Sequence, residues 1–311
     1  MQSPQLQFLP VNGPLNRDGA PRRMAYWDWP CEGGADAAHV VIAVHGLTRQ
    51  GRDFDVLAQA LTPRARVLAV DVAGRGHSDW LADPMLYQVP TYATDLAQLI
   101  AHLRAQNPAV VIDWVGTSMG GLIGMALASQ PALAPRRLVL NDVGPVIQWV
   151  ALQRIATYVG RNMCFDSEQA AFDYMAQISA GFGPHSPQQW AALSRPMLRQ
   201  REGQWCLHYD PAIGEPLRAL TARSDEDAVR ESLLQGEAAL WAAYDAIRCP
   251  TLLLRGADSD LLTRETAREM GQRGPRAMCV EFEGVGHAPT LVSDDQVDAV
   301  RQFLWSEPAA A

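Results

Sequence analysis

A chain of 311 residues, 48% hydrophobic and 19% charged, is too apolar to stay disordered and long enough to bury one large core that carries an insertion. A net charge of −8 with no run of Lys and Arg excludes the phosphate-binding groove that a nucleic-acid partner needs. The opening Met1-Gln2-Ser3-Pro4-Gln5-Leu6-Gln7 lacks the basic stretch and apolar core of a secretory leader, and no apolar run reaches the ~18 residues that span a bilayer, so a cytoplasmic protein without membrane contact is expected.

In chain order, the first strand patterns fall at 6–10 and 24–29 and read as an antiparallel edge. Short Val, Ile and Leu runs follow at 40–45, 66–72, 110–115, 137–141, 251–255 and 278–282. Runs of that length and composition are strands buried on both faces of a parallel sheet. Helical patterns lie between or beside them at 54–61, 92–105, 119–130, 264–271 and 294–305, each with apolar residues three and four apart. Strands alternating with helices give an α/β fold with a doubly wound, mostly parallel sheet. The alternation stops after 141 and resumes at 251; the intervening stretch reads as helical, with breaks at 181–187 and 211–216. The expected organisation is a core of 1–143 and 247–311 with a helical cap at 144–246, set over the crevice at the carboxyl ends of the strands. Residues 307–311, Glu-Pro-Ala-Ala-Ala, read as a frayed tail.

Chemistry concentrates at Gly116-Thr117-Ser118-Met119-Gly120-Gly121, directly after the strand pattern at 110–115 and before the helical run at 122–127. A strand that turns sharply into a helix crowds its own backbone. The positions two before and two after the central serine must therefore be small, as Gly116 and Gly120 are, and Ser118 is presented as a nucleophile above the sheet. Late in the chain, Glu283-Gly284-Val285-Gly286-His287 puts a histidine in a glycine-bracketed turn after a strand. His287 is better placed to take the serine proton than His39, His77, His102, His185 or His208. The five cysteines, Cys31, Cys164, Cys206, Cys249 and Cys279, are odd in number, widely spaced and lack a Cys-x-x-Cys pair, and read as reduced structural thiols. No metal-ligand spacing or dinucleotide fingerprint is present, so no cofactor is implied.

From about Val40 to its end the chain resembles the α/β-hydrolases. The Gly-x-Ser-Met-Gly-Gly stretch is similar to the elbow of esterases, lactonases and carbon–carbon bond hydrolases, and Asp71-Val72-Ala73-Gly74-Arg75-Gly76-His77-Ser78 resembles their Asp-x-x-Gly-x-Gly-x-Ser segment. The resemblance implies a triad in the order serine, acid, histidine, with His287 as base. It also implies an oxyanion hole made of two backbone N–H groups, one on Met119 and one on Leu47 of His45-Gly46-Leu47-Thr48. His45 then only ties its loop to neighbouring backbone. The acid is open between two strand ends. The usual location falls in Gly256-Ala257-Asp258-Ser259-Asp260, where a gapless match puts Ser259, flanked by Asp258 and Asp260, at the acid's position. The other is Asp142, closing the apolar run 137–141, where certain relatives carry their acid.

The expected activity is hydrolysis of a carboxylic ester or lactone through an acyl-enzyme on Ser118. A carbon–carbon bond hydrolase of a ring-fission diketone and an acyltransferase share the machinery, and a non-enzymatic receptor-like protein is a further alternative. Trp149, Trp190, Trp205, Tyr209, Trp241 and Tyr244 in or beside the insertion suit a small apolar or aromatic substrate, or else pack the cap on the body. Arg49, Arg52 and Arg75 lie in loops near the expected site, where they either bind a carboxylate or remain solvated.

Overall fold

The computed structural model describes residues 3–32, 38–222 and 224–306, and the expected frayed tail at 307–311 lies outside them. The elements follow as β1 (Gln5–Val11), β2 (Arg22–Trp29), β3 (His39–Val44), α1 (Asp55–Leu61), β4 (Arg66–Asp71), α2 (Val89–Gln106), β5 (Val111–Thr117), α3 (Met119–Ala128) and β6 (Leu138–Asn141). Next come α4 (Trp149–Ala156), β7 (Cys164–Phe165), α5 (Glu168–Ile178), α6 (Pro187–Ser194), β8 (Leu198–Arg201), β9 (Gln204–Leu207), α7 (Glu215–Thr221) and α8 (Glu226–Ala246). The chain closes with β10 (Thr251–Gly256), α9 (Arg264–Met270), β11 (Met278–Phe282) and α10 (Asp294–Trp305).

Among the described residues the main sheet has eight strands in the order β1-β2-β4-β3-β5-β6-β10-β11. β1 and β2 pair antiparallel at one edge, and β4 through β11 run parallel. The apolar runs follow from two buried faces. In β3, Val40, Ile42 and Val44 point into one core and Val41 and Ala43 into the other. β4 divides likewise, with Leu68 and Val70 opposite Val67 and Ala69. α1 and α10 cover one face with Leu57, Leu61, Val300 and Leu304. α2, α3 and α9 cover the other with Leu96, Leu99, Ile123 and Met270.

The stretch between β6 and β10 differs from the helical reading. It contains a three-stranded antiparallel sheet, β7-β9-β8, and its last helix, α8, packs on α3 beside the main sheet. Cys164 and Cys206 stand directly opposite in the β7–β9 register and are joined by a disulfide, so two of the five cysteines are not the free thiols expected. Two antiparallel strands at 164–165 and 204–207 bring these residues to adjacent backbones, which their spacing in sequence does not reveal. No helix among the described residues is long and apolar enough to cross a membrane.

Candidate active site

The carboxyl ends of β3, β5, β6 and β11 converge on Ser118. Its backbone has φ 51° and ψ −116°, a conformation an L-residue adopts at a cost and that an over-determined turn must impose. The turn is imposed by close packing. A Cβ on Gly116 would lie 2.3 Å from the Gly120 carbonyl oxygen, and one on Gly120 would lie 1.9 Å from that of Val44. The Ser118 N–H donates to Asn141 O at 2.9 Å, while its own carbonyl accepts from Gly121 and Leu122 in the first turn of α3.

His287 Nε2 lies 2.9 Å from Ser118 Oγ, and its Nδ1 lies 2.7 Å from Asp142 Oδ2. Asp142 follows β6, is fully buried and has φ 54°. Its carboxylate also accepts from Ser259 Oγ at 2.6 Å and from the Gly256 N–H at 2.9 Å. Three donors thus compensate the burial of this group. Asp260 stands elsewhere. Its carboxylate binds Arg154 at 2.8 and 3.0 Å in an exposed ion pair and does not meet His287. Asp258 is exposed and reaches the site region only through its N–H on Val285 O. The residue at the usual acid position, Ser259, serves as a hydrogen-bond donor to Asp142.

Leu47 lines the cavity beside Ser118, Met119 follows Ser118 in the chain, and among the described residues neither N–H is engaged in a backbone hydrogen bond. Met119 opens α3, where the first N–H groups have no partner within the helix. His45 is buried and ties its loop as expected: the Val72 N–H donates to Nε2 at 3.0 Å, so the proton on Nδ1 faces Gly46 O at 2.7 Å. Burial pushes its pKa down to about 3, aided by the Arg75 and Arg49 charges, and the ring is neutral.

A cavity of about 110 Å³ opens on Ser118 and His287. Its walls are Leu47, Ile155, Met175, Ile178, Phe182 and Tyr209. Of the six aromatics singled out in sequence, Tyr209 lines this cavity, and Trp190 stacks on Phe182 with centroids 6.4 Å apart. Trp241 and Tyr244 instead pair edge to face on α8, in the body. Tyr158, Tyr174 and Phe182 also reach the cavity; they lie in the stretch between β6 and β10, where no motif marks them. The three loop arginines are each engaged within the protein, and of them Arg49 also lines the cavity. Arg49 binds Asp53 and Leu193 O, Arg52 binds Asp55, and Arg75 is completely buried. Among the described residues no group of His, Cys, Asp and Glu side chains is arranged to hold a metal ion.

A family model described as "Alpha/beta hydrolase family" matches residues 41–302. The chain is 44% identical over 306 residues, covering 97% of it and 98% of its relative, to the 3-hydroxybutyrate-oligomer hydrolase of Cupriavidus necator. It is 28% identical over 275 residues, 85% of this chain and 80% of the relative, to an esterase of Mycobacterium tuberculosis. Among solved structures, an alpha/beta hydrolase from Novosphingobium aromaticivorans superposes with a TM-score of 0.79 at 31% identity, covering 98% of this chain and 99% of the other.

Proposed function

The chain belongs to the alpha/beta hydrolase family and is an ester hydrolase, and from that premise we propose that it cleaves short oligoesters of 3-hydroxybutyrate through an acyl-enzyme on Ser118. The observation that carries this reading is the continuous relay from Ser118 Oγ through the His287 ring to the buried Asp142. His287 Nε2 accepts the serine proton as Oγ attacks the ester carbonyl and returns it to the leaving alkoxide. Asp142 holds the ring in the tautomer with Nδ1 protonated and stabilises the imidazolium. The Leu47 and Met119 N–H groups receive the developing oxyanion, where a single donor is worth about 10²–10³ in kcat. Water, activated by the same histidine, then releases the acyl group.

The substrate class is supported by the extent of the likeness to the oligomer hydrolase and by the cavity. About 110 Å³ with a mainly aliphatic and aromatic lining is several times the ~30 Å³ that one water occupies, room for a short hydroxyacyl unit. A cytoplasmic site of action, on a soluble oligoester, is part of the same proposal. Incubation with the 3-hydroxybutyrate dimer and trimer, with monomer release followed by chromatography, tests it. We expect turnover by the wild type, none by Ser118→Ala, and labelling of the wild type alone by a fluorophosphonate. Labelling together with hydrolysis of p-nitrophenyl butyrate but no release from either oligomer would overturn the substrate assignment. Labelling that persists in Ser118→Ala would overturn the nucleophile.

A further inference from the structure

We propose that Arg75 is a positioning residue for the oxyanion hole, holding its two donor-bearing residues and setting a buried positive charge behind the oxygen that becomes negative. The inference rests on the reading of Leu47 and Met119 given above. Arg75 is fully buried, and its guanidinium meets both of those residues. Nε donates to Leu47 O at 2.9 Å, and Nη2 lies 3.7 Å from Met119 Sδ. Nη1 donates to Ala73 O at 2.7 Å and to the Tyr92 hydroxyl at 2.8 Å. No carboxylate among the described residues forms an ion pair with it, whereas Arg22, which is as completely buried, is clasped by Asp95.

A buried cation with no carboxylate partner is costly even over the Tyr92 and Tyr87 rings, 5.0 and 5.7 Å away, and a fold that needed only packing and hydrogen bonds at this point would be served by a neutral side chain. Opposite a developing oxyanion, the same charge is used in a low-dielectric setting, where it is screened little. The loop carrying Arg75 is itself fastened to the segment over the site. The Asp210 N–H donates to Gly74 O at 2.7 Å, and the Gly76 N–H donates to His208 O at 3.1 Å, one bond on each side of the arginine. Arg75 therefore links the seating of that segment to the placement of the Leu47 loop.

Arg75→Met removes the charge and the fork, and Arg75→Lys keeps the charge alone. With p-nitrophenyl butyrate we expect kcat to fall about 30-fold or more in Arg75→Met and about 5-fold in Arg75→Lys, with KM changing less than about threefold. Affinity for butylboronic acid, whose boron accepts Ser118 Oγ to form a tetrahedral adduct, should fall in proportion to kcat. Affinity for butyramide, which is uncharged and forms no such adduct, should not. A purely structural role would lower the melting temperature and weaken both ligands alike. Folded variants with kcat within twofold of wild type, or with boronate and butyramide weakened equally, overturn the inference. Should Arg75→Met not fold, Arg75→Lys decides by the same two affinities. A wild type that neither hydrolyses p-nitrophenyl butyrate nor takes a fluorophosphonate label overturns the Ser118 reading itself, and the Arg75 inference with it.

Discussion

Asp142 carries its carboxylate at a position with φ 54°, and that backbone aims the side chain at a histidine 145 residues further on. Replacing it with asparagine sets an amide against His287 Nδ1 and favours the wrong tautomer of the ring. We expect kcat of Asp142→Asn to drop about 10³–10⁴-fold, by analogy with the loss seen when a triad acid becomes an amide. Asp260→Asn breaks only an exposed pair with Arg154, of a kind worth about 0–1 kcal/mol, and should stay within about threefold of wild type. Esterase kinetics on both variants decides, and equal losses would count against Asp142. Ser118 and His287, which the structure brings within 2.9 Å of each other, could be singled out as candidates because each stands in a local pattern. The acid was not, for a physical reason: β6 and β10 are neighbours in the sheet, so Asp142 and the 256–260 loop open at the same end, side by side. A sequence marks strand ends but not which strands lie together, and a serine stands where the family pattern usually has its acid.

At the scale of elements, the sheet was readable wherever both faces are buried. β4, β6 and β10 fall within two residues of the expected runs, because a strand covered on each side must be apolar at nearly every position. β7, β8 and β9 offered no such signal. They span two to four residues, too few for a period, and β8 reads Leu-Arg-Gln-Arg with its last two side chains exposed. Their pairing is what brings Cys164 and Cys206 together. The disulfide closes a loop across a sequence separation of 42, for which chain-entropy arguments give about 4 kcal/mol and engineered cases often less. A cytoplasmic location favours the dithiol, so an intact bond in protein isolated with thiols blocked at lysis would argue against the cytoplasmic site of action proposed above. Thiol titration in denaturant, with purification free of reductant, should find the three cysteines Cys31, Cys249 and Cys279, and all five after reduction. Five before reduction would show the pair to be open. With the bond formed, Cys206→Ser should lower unfolding stability by about 2–4 kcal/mol.

The stability of the whole molecule depends on two buried groups beside the Leu47 loop that respond to acid in opposite directions. Burial holds the His45 pKa down at about 3, so as pH falls below about 6.5 the unfolded chain takes up a proton that the native ring refuses. Its contribution is complete above about 6.5 and is lost as pH falls toward about 3. Burial raises the pKa of Asp71 to about 7, although the Gly51 and His77 N–H groups donate to it at 2.8 and 2.9 Å and work against the rise. Here the native state keeps a proton that the unfolded chain releases above about 4, so the contribution is complete below about 4 and is lost as pH rises through about 7. Between roughly pH 4.5 and 6 the two slopes, each up to about 1.4 kcal/mol per pH unit, oppose one another. The remaining titratable groups contribute equally to wild type and to single variants, so comparison isolates the pair. Urea unfolding of His45→Gln across that window should show stability rising with acidification relative to wild type, because only the Asp71 slope is left. Asp71→Asn should show the reverse, since the His45 slope then acts alone. Variant and wild-type curves running parallel from pH 6.5 to 4.5 would mean that neither group changes its proton affinity on folding, and the buried, neutral histidine would lose its place in this account.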